Sequence, residues 1–252
     1  MKITRRGLIG SLGAGAGGLL LSGCDKINAN PGVRSLLQSA EGLTMRAQRI
    51  VTNRSAMARE FSAADLSPVF RANGTRQPIG SDYAAHSAAG FADWKLAIDG
   101  AVSRPQSFSL AQLRAMPRRT QITRHDCVEG WSAIGKWTGV PLKLLLDAAG
   151  LRTSARYLIF HCADRYSQAD YYESIDLIDA FHPQTILAWA LNDAILPIAN
   201  GAPLRLRVER QLGYKHAKYV QRIEAVESLA GQGLGKGGYW EDYHDYEWYA
   251  GI

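Results

Sequence analysis

Cysteine is scarce in this chain: Cys24, Cys127 and Cys162 are the three among 252 residues. No C-x-x-C or H-x-x-x-H spacing accompanies them, so zinc lacks the ligand pattern it needs. A serine-hydrolase elbow is missing too, because "GWSAIG" at 130–135 is not G-x-S-x-G and leaves Ser132 without a claim to be a nucleophile. Internal repeats are absent, which excludes solenoids and propellers. "GAGAGG" at 13–18 and "GLGKGG" at 233–238 satisfy G-x-G-x-x-G, but neither follows a strand and opens a helix, so neither is a dinucleotide loop. Charge of one sign is also modest. The formal net of +6 falls to +3 once Lys2, Arg5 and Arg6 are set aside with residues 1–24. No Lys/Arg stripe remains to track a phosphate backbone, which argues against nucleic acid as a partner.

What is present is an ordinary globular composition, 46% hydrophobic and 21% charged, in a chain long enough to bury a sizeable core. Residues 1–24, "MKITRRGLIGSLGAGAGGLLLSGC", carry a charged head, an apolar Gly-rich stretch too short to span a membrane comfortably, and then small residues. The Arg5-Arg6 pair resembles a twin-arginine signal, the route that exports proteins already folded. "LSGC" at 21–24 resembles a lipobox, which makes Cys24 the expected site of lipidation; the alternative is a cleaved signal with an incidental cysteine. The expectation is a periplasmic protein, lipid-anchored at the inner membrane.

Residues 25–68 read as a linker with an amphipathic helix from Val33 to Ile50, residues 69–230 as the main folded domain, and 231–252 as a Gly-rich, then aromatic tail. Strand-like runs occur at 94–100, 120–127, 155–162, 202–209 and 219–227. "PLKLLLDAAG" spaces Leu142, Leu145, Leu146 and Ala149 as a helix between Pro141 and Gly150, and "HPQTILAWAL" reads as a second short helix. Strands and helices do not alternate strictly, so the pattern predicts an α+β domain with a mixed sheet. Gly130, Gly139 and Gly201 read as turn residues, Trp131 and Trp137 as core aromatics, and His161 as a hydrogen-bonded core histidine.

With Cys24 acylated, Cys127 and Cys162 remain in an oxidising compartment, where three readings stand: a disulfide, a nucleophile served by His125, and a single thiolate ligand to a cofactor metal. "CVEGWS" at 127–132 with "W-x-GVPL" at 137–142 resembles the molybdopterin-binding domain of the sulfite oxidase family. The likeness extends through "FRAN" at 70–73, "WKLAIDGAVSRPQSFSLAQL" at 94–113, "HPQTILAWALN" at 182–192, "NGAPLRLRV" at 200–208 and "LGYKHAKYVQRI" at 212–223. The resemblance implies a molybdenum-molybdopterin cofactor, with Cys127 as the catalytic thiolate ligand to the metal. It implies pterin and phosphate contacts from Asn73, Asn200, Arg205, His216, Ala217 and Lys218, and from Cys162 where relatives carry threonine. A thiolate at Cys127 is favoured if Arg124 or His125 supplies positive potential.

Sulfite-oxidising members place arginines just after the ligand cysteine, whereas Val128, Glu129, Gly130, Trp131 and Ser132 stand here, a poor lining for a dianion. The block looks like the methionine sulfoxide reductase branch. That likeness implies a monomeric oxygen-atom-transfer reductase without dimerisation or haem domains of its own, acting on small-molecule or protein-bound S-oxides and fed by a membrane haem or quinone-linked carrier. Glu129 or His125 could handle protons if either reaches the pocket. The competing readings are a sulfite-oxidising enzyme and a non-catalytic ligand-binding lipoprotein of the same fold. In the tail, six aromatics and four acids share residues 239–252; they either cover apolar surface or shape the pocket mouth or a docking face.

Overall fold

The computed structural model describes residues 30–167 and 169–252. The twin-arginine pair, the lipobox and Cys24 lie outside the described residues. The described residues divide into two units, one ending at Val51 and the other spanning Thr52–Ile252. Within the first, helix α1 runs over Pro31–Val51, close to the predicted Val33 to Ile50. Asn30 starts it: its side-chain oxygen accepts from the Gly32 and Val33 amides at 2.9 and 3.4 Å, while Pro31 opens the helix without an amide to satisfy. No described helix is long and apolar enough to cross a membrane.

Among the described residues the second unit holds two five-stranded sheets. One runs in the order β2 (Gln106–Ser109), β1 (Lys95–Gly100), β10 (Val220–Val226), β5 (Tyr157–Arg165), β6 (Asp170–Asp176). The other runs β3 (Arg119–Asp126), β4 (Ser132–Pro141), β7 (Ile186–Leu191), β8 (Ala194–Ile195), with β9 (Arg205–Arg207) also paired to β7. The β1–β10 pair is parallel and the other neighbours antiparallel, so the α+β, mixed-sheet expectation holds.

Short helices fill the connections: α2 (Ser81–Ala88), α3 (Leu110–Ala115), α4 (Leu142–Ala149), α5 (Leu177–Ala180) and α6 (Tyr239–His244). Ser109 and Gln112 cap α3 reciprocally. In α4, Leu142, Leu145, Leu146 and Ala149 are all buried, and Gly150 ends the helix with φ 67°, a conformation that favours glycine. These leucines join Leu96, Phe160, Leu206 and Ile223 in one core cluster fed by both sheets.

Two expectations fail for readable reasons. "HPQTILAWAL" contains strand β7 rather than a helix: its apolar run is buried on both faces between β4 and β9, where a short apolar segment has no distinguishing period. Gly139 lies inside β4, not in a turn. A Cβ there would stand 2.2 Å from the Leu187 carbonyl oxygen, so glycine is required by the close approach of β7 at a register shift. The strand expected over 202–209 is reduced to β9, in keeping with Pro203, which has no amide to give a ladder.

Candidate functional site

Cys127 leaves the end of β3 in a tight turn. Its amide donates to the Trp131 carbonyl at 2.9 Å, the Gly130 amide donates back to the Cys127 carbonyl at 3.0 Å, and Gly130 adopts φ 83° as the turn requires. The thiol, 9% exposed, faces a partly enclosed cavity of about 150 Å³. Burial pushes this thiol up; the Glu129 amide, Arg205 and the Val128 amide pull it back, against the Glu129 carboxylate. The positive potential therefore comes from neither expected neighbour. Arg124 pairs with Asp126 at 2.9 Å on the surface, and His125 is held neutral by burial and the nearby cations. His125 does not line the cavity; it packs edge-on to His216 at 5.1 Å, and its Nδ1 meets Arg207 at 3.1 Å. Arg207 in turn is buried on Glu209, with contacts of 2.6 and 2.8 Å.

The β9–β10 connection supplies the opposite wall. His216 and Lys218 line the cavity together with Asn73 from the 70–76 segment. Lys218 spends its three N–H groups on the carbonyls of Asn73 (2.7 Å), Ala199 (2.9 Å) and Thr75. Burial and Arg205 lower it to about 7 while Asp164 opposes them. Arg205 is fully buried behind these groups, 5.4 Å over the Trp137 ring, donating to the Asn200 carbonyl at 3.1 Å and toward Asn73 Oδ1 at 3.5 Å. Burial and Arg207 lower it to about 9.

Asn73, Cys127, His216 and Lys218 thus meet in one cavity, with Asn200 and Arg205 directly behind. Ala217 is buried in the core and contributes its backbone, its carbonyl accepting from Leu206 at 2.8 Å. Cys162 packs against the core from β5, donates to the Phe160 carbonyl at 3.6 Å and is not among the cavity-lining side chains. Both Cys127 and Cys162 are free thiols, which removes the disulfide reading. Trp137 is a core residue as expected, and Trp131 is half-buried against His125. His161 is half-buried and bonded to Glu224 at 2.9 Å and Arg222 at 3.1 Å, not a ligand.

Sequence reasoning missed Asp164, which lines the cavity, is 3% exposed and has an Oδ1 without a partner. Burial raises it to about 6 against the pull of Thr75 and Lys218. The available signal was an acid two residues past Cys162 on an otherwise apolar strand. Also missed were Tyr166, Tyr171 and Tyr214.

Three buried donors near Cys127 and Lys218 find no partner among the described residues: Asn200 Nδ2, Arg205 Nε and His125 Nε2. An unspent buried donor costs about 1–3 kcal/mol, so such a cluster is built for a group that brings acceptors. An oxygen-rich anion such as a pterin phosphate fits that donor set. Among the described residues no three His, Cys, Asp or Glu side chains gather to hold a metal by themselves, so a metal here takes most of its ligands from elsewhere.

Residues 84–232, more than half of the chain, match the family model described as the oxidoreductase molybdopterin binding domain. The chain belongs to that family. The resemblance to the sulfite oxidase family drawn from its motifs therefore holds, and the molybdopterin-binding domain contains Cys127, Asn200, Arg205, His216 and Lys218. Among curated proteins it is 44% identical over 160 residues to the "Putative protein-methionine-sulfoxide reductase subunit YedZ1" of Azospira oryzae, covering 64% of this chain and 56% of that one. It is 34% identical over 145 residues to the "Protein-methionine-sulfoxide reductase catalytic subunit MsrP" of Ralstonia nicotianae, covering 53% and 44%. The chain thus spans about half the length of these relatives. Among solved structures it resembles the sulfane dehydrogenase SoxCD from Paracoccus pantotrophus, with TM-score 0.50, 24% identity, and coverage of 54% of this chain and 39% of the other, a likeness of fold.

Proposed function

We propose that this chain is a molybdenum-molybdopterin oxidoreductase that reduces S-oxides of the methionine sulfoxide type. The observation that carries the reading is Cys127 in the cavity lining, flanked by Val128 and Glu129 where an anion would need cations, with unspent donors at Asn200 and Arg205 behind the lining residues. Both curated relatives are named as methionine sulfoxide reductase subunits, which supports the same reading.

Cys127 would hold the metal, and Asn73, Asn200, Arg205, His216 and the Ala217 backbone would hold the pterin and its phosphate, with Lys218 adding positive charge while its three N–H groups stay on backbone carbonyls. When bound, the cofactor supplies a two-electron oxygen-atom exchange; the balance is one S-oxide, two electrons and two protons giving one thioether and one water. The chain's own part is to bind, orient and serve protons. Glu129 is fixed by the Trp131 indole, which donates to its Oε2 at 2.8 Å. Asp164, raised to about 6 by burial, can hold a proton at the cavity wall near neutral pH. Cys162, set back from the wall, supports the pterin end only through the strand it occupies. The tyrosines and the two carboxylates favour a neutral, partly apolar substrate over sulfite.

The reading extends to the whole chain: residues 1–24 as a twin-arginine export signal with lipidation at Cys24, 25–68 as the connection, 69–230 as the catalytic domain and 231–252 as the tail. It places a monomer at the periplasmic face of the inner membrane, taking electrons from a membrane haem or quinone-linked carrier. The test is turnover of protein made in a host that synthesises molybdopterin. With a reduced dye as donor it should reduce methionine sulfoxide and leave sulfite unoxidised; sulfite oxidation with no S-oxide reduction overturns the reading.

A further inference from the structure

Residues 239–252 lie beyond the stretch that matches the family model, yet they complete the cavity. Helix α6 folds back so that Tyr239 stacks on Tyr166 at 4.8 Å and 27°, while Trp240 meets the same Tyr166 edge-on at 5.4 Å. Trp240 stacks with Tyr246 at 5.8 Å and 25°, and Tyr246 meets Tyr214 at 5.0 Å. Trp240 and Tyr246 are half-buried and line the same cavity as Cys127 and Glu129.

Buried charge holds this arrangement in place. Glu241 accepts from Lys215 at 2.6 Å, and Lys215 also pairs with Glu173. Asp242 accepts from the Tyr172 hydroxyl at 2.5 Å and from the Leu234 and Lys236 amides at 2.9 and 3.0 Å. The two rings are therefore presented to the cavity in a fixed pose, at little entropic cost to a ligand that packs on them. Aromatic faces suit methyl, methylene and sulfur groups.

We propose that Trp240 and Tyr246 are the substrate-selecting wall of the cavity, receiving the aliphatic side chain of a peptide-borne methionine sulfoxide in preference to a small S-oxide. This rests on the S-oxide reductase reading and adds its specificity. Dimethyl sulfoxide offers that wall only methyl groups, whereas a methionine sulfoxide side chain adds two methylenes that can pack on the rings.

The test compares N-acetyl-methionine sulfoxide amide with dimethyl sulfoxide in cofactor-loaded wild type and in the Trp240→Ala, Tyr246→Ala double variant. The variant should lower kcat/KM for the amide at least about tenfold more than for dimethyl sulfoxide, the discrimination expected of one or two methylenes in an apolar pocket. The control is Trp248→Ala, from the same tail: its indole donates to Ser174 at 2.8 Å and does not line the cavity, so it should lower Tm and leave the ratio unchanged. Equal losses on both substrates, or an unchanged ratio in the double variant, overturn the proposal. If wild type reduces neither compound, the functional reading has failed separately. Calorimetric binding of the amide then decides the wall, with weaker binding to the double variant in its favour and equal binding against it.

Discussion

Asp164 shows how one buried side chain ties the site to stability. Its folded pKa of about 6 lies above the ordinary carboxylate value of 3.8, because burial disfavours the charged form. The native state therefore holds the proton more tightly than the unfolded chain. The contribution is most favourable below about pH 4 and is lost as pH rises through about 6, by up to about 3 kcal/mol. Lys218, lowered to about 7, is already charged across that window, so the two titrations separate. Asp164→Asn should gain stability relative to wild type as pH climbs from 4 to 7, read from urea unfolding at each pH; parallel curves would show that the carboxyl is not protonated in the fold. Cys127, Asn73, His216 and Lys218 were legible in the sequence because they sit in short blocks with distinctive neighbours. Asp164 was not, since an aspartate on a strand becomes a cavity group only when the 70–76 segment and the β9–β10 connection close over it.

At the level of elements, spacing sufficed where a helix had one buried stripe and failed where burial was two-sided. Helix α4 announced itself through four apolar positions and a terminal glycine. Strand β7 did not, because both of its faces are buried and its partners β4 and β9 are remote in sequence. The same crowding makes Gly139 a sharp test. Gly139→Ala places a Cβ 2.2 Å from the Leu187 carbonyl oxygen, so either β4 or β7 must shift. The expected cost is about 1–3 kcal/mol in unfolding free energy. An unchanged denaturation midpoint would mean that the two strands are not held at this separation. Leu146→Ala in α4, fully buried, should cost about 2–5 kcal/mol in the same measurement.

Across the whole molecule, the C-terminal tail and the catalytic body share one buried charge cluster, and the sequence signalled the tail only as dense aromatic and acidic residues. Lys215, Glu173 and Glu241 are each fully buried, and burial and the neighbouring Glu241 push the Glu173 carboxyl up against the pull of Lys215. Lys215→Met removes the cation that both carboxyls share and leaves Glu173 with only the Ser174 amide at 2.8 Å, an expected loss of about 3–5 kcal/mol. It should also disturb the cavity, because Tyr214 and His216 flank Lys215. A Tm equal to wild type would show that the tail is held by its aromatics alone. The central claim, that Cys127 binds the metal of a molybdopterin cofactor, is tested most directly by molybdenum X-ray absorption on protein from a host with intact cofactor synthesis. Wild type should carry molybdenum, and Cys127→Ser should show one fewer sulfur neighbour at the metal and no turnover, since a hydroxyl is a harder and less acidic ligand than a thiol. Wild type without molybdenum, or a serine variant with unchanged sulfur coordination and normal turnover, would contradict the account.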